Sequence, residues 1–353
     1  MASSSSVPAS PCEKHILQLG RLSSGDEVCD DVKAIIWSFI RSRYPRSVAP
    51  ARESILVSST FPDPLPFIFK LPDRSSVGVV ASPGRASGVH TVEKVPLAQS
   101  SSTSAYEIPH TPLMVCFHQG DVYYVSMFGN RLYRASARSK SPDLIRFPPN
   151  CRKVAGLWSL GSHLLLLSAD DHHMYTADGN GWRFSSDLAW TDNIVADVAL
   201  SHDSVEQLQL LQYPKPGQID CVYRLVRHNR GVDGADELMF SLPLRGAVQM
   251  RLLPEAVDGL ACVCQQTDGS GKVSSTPSAL FTIRVVNFLT GVPLITSEGF
   301  SSFGIVSMVV TDAWHVAVMG EVLTEYLDDD DDEPHRVALK GMQFEIHSLT
   351  LHA

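Results

Sequence analysis

The run SADDHHMYTADGNGWRF, residues 168–184, combines side chains that bind metals or transfer protons. Two adjacent aspartates followed by two adjacent histidines are donors that a zinc ion accepts. The alternative is a bend between two strands, because Asp, Asn and Gly favour turns. Neighbouring side chains in a strand point to opposite faces, so His172 and His173 cannot both bind one ion without distortion. We therefore predict a turn here, with no metal site and no catalytic site.

A second unusual run is LDDDDDEPH, residues 327–335, in which five aspartates precede a glutamate. Like charges in series repel one another and cannot be buried, so the run predicts a solvated hairpin loop. A calcium site of the EF-hand kind is not predicted, since its spaced ligands and turn glycine are absent. The functional alternative is an electrostatic contact with a basic partner. The acids that would make this contact are Asp328, Asp329, Asp330, Asp331 and Asp332.

Positive charge collects in the segment 131–153, although the whole chain has a formal net charge of −9. The segment contains one acid, Asp143. Its cations are Arg131, Arg134, Arg138, Lys140, Arg146, Arg152 and Lys153. In an acidic protein, such a run is a candidate docking site for an acidic protein surface, for RNA or for anionic lipid. An ordinary solvated face is the alternative interpretation.

The sequence carries none of the common catalytic motifs. The nucleophile elbow, the phosphate-binding loop, the paired-histidine zinc motif and the dinucleotide fingerprint are all absent. The 7 cysteines are an odd number without a C-x-x-C pair, which favours free thiols in a reducing compartment. Cys262 and Cys264 share one face of a strand and are predicted to pack as small apolar side chains. We therefore predict a cytoplasmic or nuclear protein that is not an enzyme and needs no cofactor or metal.

The first 45 residues divide into a tail and a helix. Residues 1–23 are rich in serine and lack the apolar core of a signal peptide, so we predict a disordered tail. Residues 24–45 begin with the capping residue Ser24, have an acidic first turn and a basic last turn, and end at Pro45. Apolar residues spaced three and four apart make this an amphipathic helix. No apolar stretch is long enough to predict a membrane span.

After residue 50, short apolar or β-branched runs alternate with turn residues. Examples are SILVSST, PFIFKL, LMVCFHQ, DVYYVSM and HLLLLSA. They recur about every eight to twelve residues, which is the spacing of an all-β sandwich, barrel or propeller. The polar segment 82–112 is predicted to be a long loop inserted between blades.

An internal repeat favours the propeller over the sandwich and the barrel. Residues 122–136, VYYVSMFGNRLYRAS, align with residues 164–178, LLLLSADDHHMYTAD, and place Ser126 on Ser168. Each copy is preceded by one strand-like run and followed by another. Four strands therefore fall within about 42 residues, which is the period of a propeller blade.

Through the paired repeat at 113–187, the turn NFLTGVPLI at 287–295 and the closing FEIHSL, the chain resembles a degenerate WD40-like β-propeller. The resemblance implies an architecture and a habit of partner binding, and it implies no activity. We therefore expect an all-β fold, a β-propeller over residues 50–353 with about six or seven four-stranded blades, preceded by the amphipathic helix.

The predicted function is a non-enzymatic protein-interaction scaffold, a propeller subunit of a larger multi-protein assembly. One alternative is an RNA-associated propeller subunit of a ribonucleoprotein complex that uses the segment 131–153. Its binding would fall steeply with salt. The other alternative is a propeller hydrolase, which would need a cluster of acids at one mouth of the central channel.

Overall fold

The computed structural model places the propeller in one compact unit, Arg46–His352. The residues it describes are 47–50, 55–59, 67–71, 76–81, 90–97, 103–128, 130–139, 141–177, 181–187, 194–200, 207–214, 221–228, 237–244, 247–253, 260–267, 279–287, 293–297, 299–302, 305–311, 315–322 and 342–352. The predicted tail 1–23, the predicted helix 24–45 and the acidic run 327–335 lie outside them.

Every regular element among the described residues is a β-strand. The first fourteen are β1 (Ser47–Pro50), β2 (Ile55–Ser59), β3 (Phe67–Lys70), β4 (Ser76–Ala81), β5 (His90–Pro96), β6 (Thr103–Ile108), β7 (Pro112–His118), β8 (Asp121–Ser126), β9 (Leu132–Ser136), β10 (Asp143–Ile145), β11 (Val154–Leu160), β12 (His163–Ser168), β13 (His173–Ala177) and β14 (Trp182–Asp187). The others are β15 (Ile194–Leu200), β16 (Gln207–Pro214), β17 (Cys221–His228), β18 (Glu237–Leu244), β19 (Ala247–Leu252), β20 (Leu260–Thr267), β21 (Ala279–Asn287), β22 (Pro293–Thr296), β23 (Phe300–Ser302), β24 (Ile305–Val310), β25 (His315–Val322) and β26 (Met342–His352). In this described part, no helix is long and apolar enough to cross a membrane.

The strands form six antiparallel sheets, five of which are built from strands that follow one another in the chain. Blades 1 to 5 consist of β3–β6, β7–β10, β11–β14, β15–β18 and β19–β23. In blade 5 the outer edge of β21 pairs with both β22 and β23.

Blade 6 is completed by strands from the other end of the propeller chain. Its order is β24, β25 and β26, and β25 occupies one edge of β26. On the other edge, β1 pairs Pro50 with Leu349 and β2 pairs Ile55 with Ile346. The strands that precede blade 1 therefore supply the outermost position of the last blade.

The first strand of each blade is the innermost one. In order around the ring, β3, β7, β11, β15, β19 and β24 each contact the next, and β24 contacts β3. At this last junction the buried Ser307 hydroxyl donates to the Ile68 carbonyl at 3.2 Å and accepts the Ile68 N–H at 3.4 Å. The chain is therefore an all-β propeller, as predicted, with six blades in the described residues and a ring that closes within one chain.

The repeat predicted from the sequence is present in blades 2 and 3. Their innermost strands begin at Pro112 and Val154, which are 42 residues apart, the offset of the sequence alignment. Ser126 and Ser168 both end the second strand and are buried. Each of these serines pairs across from the start of its innermost strand, beside a β-bulge.

This bulge recurs in five of the six blades. The extra residue on the innermost strand is Leu113, Ala155, Ala196, Val248 or Val306. A bulge sharpens the local twist and re-aims the next side chain. In blades 4 to 6 that next side chain is polar and bonds to the following blade.

Those polar side chains tie the second half of the ring together. Asp197 accepts the Leu252 N–H of β19 at 2.8 Å. Gln249 donates to the Val306 carbonyl of β24 at 3.3 Å. The same position in blade 6 is Ser307, whose contact closes the ring. Buried backbone groups next to a bulge need such partners, because an unpaired one costs free energy.

The prediction of a long loop over 82–112 is wrong. This segment contains β5 and β6, the third and fourth strands of blade 1. In β5, His90, Val92 and Val95 are buried, and polar residues lie between them. A bulge after Val92 interrupts the alternation, so the composition looked like a loop although the backbone is paired on both edges.

Candidate functional site

The Asp-His run is a turn between β12 and β13, as predicted. His172 has a φ of 58°, a left-handed conformation that suits a turn and not a strand. The Asp170 carboxylate accepts the backbone N–H groups of Arg152 at 2.6 Å and of Lys153 at 2.7 Å. The first aspartate therefore braces the connection that leads into β11.

The second aspartate is held in the same way. Asp171 accepts the Tyr175 hydroxyl at 2.7 Å and the His173 backbone N–H at 3.1 Å. Burial raises the pKa of Asp171, but hydrogen bonds from Ser168, Tyr175 and His173 outweigh burial and lower it. Within the described part of the chain, no three His, Cys, Asp or Glu side chains are grouped to hold a metal ion.

The basic run 131–153 does not form one surface. Because successive strands of a blade alternate in direction, the turn between strands two and three lies at the end where the innermost strand begins. We call this the bulge end of the propeller. Arg131 and Arg152 lie at the bulge end, while Arg138 lies in the turn between β9 and β10 at the opposite end. Lys140 lies outside the described residues.

Of the remaining cations, Arg134 is engaged by carboxylates of the outer strands. The Arg134 guanidinium lies 2.7 Å from the Asp143 carboxylate and 3.9 Å from that of Asp121. Arg146 follows β10, and its carbonyl accepts the indole N–H of Trp182 in blade 3 at 2.7 Å. These cations are therefore neighbours in the sequence but lie apart in the structure.

The turn between β8 and β9 is rigidly braced. The Ser126 hydroxyl donates to the Phe128 carbonyl at 3.0 Å and accepts the Arg131 N–H at 3.2 Å. The Met127 N–H donates to the Thr111 carbonyl, just before β7, at 2.7 Å. This turn is consequently fixed both to itself and to the start of the innermost strand.

A hydrogen bond joins this turn to the segment before β11, and further hydrogen bonds join that segment to the turn after β12. The Asn130 side-chain amide donates to the Arg152 carbonyl, and Asp170 holds the backbone of the same segment. We call the joined segments the loop cluster. It comprises residues 127–128, 130–131, 146–153 and 169–172.

Three large apolar side chains are exposed at this place. Phe128 is 77% exposed, Met127 45% and Leu113 44%. Leu113 is the bulge residue of β7, two positions after the carbonyl that anchors Met127. Only six large apolar side chains are exposed among the described residues, and half of them lie here. Clustered exposed apolar side chains mark interaction sites.

Cations lie beside these apolar side chains. Arg131, Arg152 and Lys153 are exposed, and no ion pair engages them within the described part of the chain. The sequence predicted these three as partner-binding residues but missed the apolar ones. The available sequence signal was Phe128, an aromatic residue that directly precedes the turn-forming dipeptide Gly-Asn.

The innermost strands, as far as the structure describes them, carry one carboxylate, that of Asp197. It accepts the N–H groups of Val198 at 2.9 Å and of Leu252 at 2.8 Å. Burial raises the pKa of Asp197, and the positive charge of Arg251 opposes this. This carboxylate thus has a connecting role between blades 4 and 5.

Arg251 on β19 joins three blades. Its Nε donates to the Met308 carbonyl of β24 at 3.0 Å, and its Nη1 to the Ala196 carbonyl of β15 at 3.0 Å. Its Nη2 donates to the Gln249 side chain at 3.1 Å. The planar guanidinium therefore satisfies carbonyls beside the bulges of neighbouring blades.

Four described cysteines are free and buried: Cys116, Cys151, Cys262 and Cys264. Burial raises the pKa of all four thiols, that of Cys264 to about 12. The prediction that Cys262 and Cys264 pack as buried apolar residues is confirmed.

At the end opposite the loop cluster, His118 connects blades 2 and 3. Its Nδ1 lies 3.0 Å from the Ser159 hydroxyl, and its ring meets that of Tyr123 edge to face. Burial lowers the pKa of His118, and the neighbouring His163 lowers it further.

We expect the free energy of unfolding to fall as the pH is lowered from about 7.5 to about 5.5. The folded-state pKa of His118 lies below the ordinary 6.5, so the stability attached to its neutral form is present above that value. This stability is lost as the pH falls through the folded-state pKa. His118→Gln can keep the bond to Ser159 and should show a smaller loss in urea titrations. An identical loss in both proteins would contradict the assignment.

Comparisons with known proteins identify no family for this chain. No family model matches the chain, and no curated protein matches it. Similar solved structures include a streptogramin B lyase, with 14% identity, a TM-score of 0.44, and coverage of 85% of this chain and 98% of that one. Another is hydrazine synthase from Kuenenia stuttgartiensis, with 12% identity, a TM-score of 0.42, and coverage of 74% and 78%.

The fold assignment rests on the strand order and on the closed ring of innermost strands. Together with the loop cluster, these features define the class: a closed β-propeller, with six blades among the described residues, that exposes apolar and basic side chains on braced turns at one end.

Proposed function

We propose that this protein is a non-enzymatic interaction scaffold, a propeller subunit of a larger multi-protein assembly. One observation carries the proposal. Phe128, Met127 and Leu113 are exposed beside three exposed cations, on turns that hydrogen bonds hold in place.

Burial energetics support a protein partner at this surface. Covering one large apolar side chain contributes about 1.5–3 kcal/mol, so three neighbouring ones supply a useful share of a binding free energy. Because Ser126 and Asn130 already fix the turn, little conformational entropy remains to be lost on binding. The surface is therefore suited to rigid-body docking.

The acidic side chains of the loop cluster support the scaffold proposal, because they hold the loops in place. Asp170 accepts backbone N–H groups, and Asp171 accepts bonds within its own turn. Their acceptor oxygens brace the loops. The buried free thiols favour a reducing compartment, so we propose the cytoplasm or the nucleus.

The proposal is tested by purifying the tagged full-length chain from its native source and running it on a sizing column. We expect stoichiometric protein partners to co-elute with the wild type and to be lost with Phe128→Ser. The matched control is Phe184→Ser, since Phe184 is 56% exposed on the outermost strand of blade 3. Elution of the wild type as a lone monomer, or equal loss in both variants, would contradict the proposal.

An RNA-associated subunit is the second candidate. The placement of the aromatic Phe128 beside Arg131 and Arg152 favours it, because bases stack on aromatic rings next to cations. This candidate predicts binding of single-stranded RNA that weakens steeply with salt.

A further inference from the structure

We infer that the loop cluster binds an acidic linear segment of a partner protein, anchored by a large apolar side chain of that segment. This inference rests on the proposed function and names the chemistry of the partner. It follows from the charge, the placement and the rigidity of the exposed side chains.

The charge of the surface is opposite to that of the chain. Arg131, Arg152 and Lys153 are exposed in a protein whose formal net charge is −9. A partner segment rich in carboxylates is attracted to this place and repelled by the acidic remainder, which fixes where it lands.

The apolar side chains are arranged for an extended segment. Leu113 belongs to the innermost strand, and Phe128 belongs to the turn between the second and third strands. Met127 lies between Leu113 and Phe128, because it precedes Phe128 in the turn and its N–H donates to the carbonyl of Thr111, just before the innermost strand. The three side chains therefore lead from the ring of innermost strands toward the middle of blade 2, a path that suits a segment and not a single side chain.

One acid of the loop cluster, Asp170, forms hydrogen bonds between two of its segments. This acid limits the direction from which an acidic ligand can approach. The Asp170 carboxylate holds the N–H groups of Arg152 and Lys153 from the blade 3 side. An acidic ligand avoids this carboxylate and meets the cations from the side of Phe128. The apolar anchor and the carboxylates of one segment can then be bound together.

A protein segment fits this surface better than RNA does. Of the three exposed apolar side chains, only Phe128 has a flat ring on which a base could stack. Leu113 and Met127 are aliphatic and offer burial without stacking.

The test uses the full-length protein and a fluorescent synthetic peptide in which glutamates flank one phenylalanine and one leucine. We expect saturable binding that weakens with salt, because exposed charges are screened. Phe128→Ser and Arg152→Glu should each weaken the affinity at least about tenfold. The matched control Arg138→Glu reverses an exposed charge at the opposite end and should change the affinity by less than about twofold.

Three results would overturn the inference. They are absence of peptide binding, equal effects of Arg152→Glu and Arg138→Glu, and tighter binding of an oligouridine probe than of the peptide. Peptide binding that appears only after Asp328 to Asp332 are changed to asparagine would assign the surface to the chain's own acidic run.

The two proposals fail separately. If native-source purification yields partners whose retention depends on Phe128 while the peptide does not bind, this inference is wrong and the scaffold function stands. If neither partners nor peptide bind, both are wrong.

Discussion

Phe344→Ala lowers the free energy of unfolding by about 3–5 kcal/mol, because it removes a fully buried ring and leaves a cavity. Phe344 lies on β26 and packs in a cluster shared by blades 6 and 1, with Ile68 and Val77 on the blade 1 side. It also pairs with Val57 of β2. The loss therefore falls on the junction where the ring closes.

Urea unfolding followed by tryptophan fluorescence measures this effect. The matched control is Phe184→Ala, which removes an exposed ring from an outermost strand and should change the stability much less. Equal unfolding midpoints for wild type and Phe344→Ala would show that the closing junction contributes no stability.

Arg251→Met lowers the free energy of unfolding by about 3 kcal/mol. It removes the donors to the carbonyls of Met308 and Ala196, and it takes from Asp197 the stronger of the two positive charges that act on it. Methionine keeps most of the aliphatic stem, so the loss reports the polar contacts and not lost packing. Arg138→Met is the matched control, because Arg138 is exposed.

A double-mutant cycle separates the contributions to this loss. If Arg251 mainly compensates Asp197, adding Asp197→Asn to Arg251→Met costs less than the sum of the two single changes. Strict additivity would mean that the guanidinium acts through the carbonyls alone.

The blade pattern was predictable because blades 1 to 5 are each built from strands close together in sequence. The offset that places Ser126 on Ser168 is the distance between two copies of one supersecondary unit. The pairing of β1 and β2 with β26 joins opposite ends of the propeller, and such a pairing leaves no periodic signal. The blade count therefore follows from the closed ring and not from the periodicity of the sequence.

Amino-acid composition gave a wrong prediction where strand pairing and strand direction determine the structure. The segment 82–112 is polar, yet β5 pairs on both edges and buries Val92 and Val95. The basic run is continuous in the sequence, but alternating strand directions place Arg131 and Arg138 at opposite ends. The sequence alone does not single out Phe128, because an apolar side chain at a turn marks a site only when neighbours such as Leu113 lie beside it in the fold.

We propose that the loop cluster is the docking surface. Hydrogen–deuterium exchange on the native assembly, compared with the free protein, measures which residues a partner covers. We expect added protection at residues 127–131 and 150–153, with unchanged exchange at 137–139 on the opposite end. Added protection confined to 137–139 or to the outermost strands, with the loop cluster unaffected, would show that partners dock elsewhere.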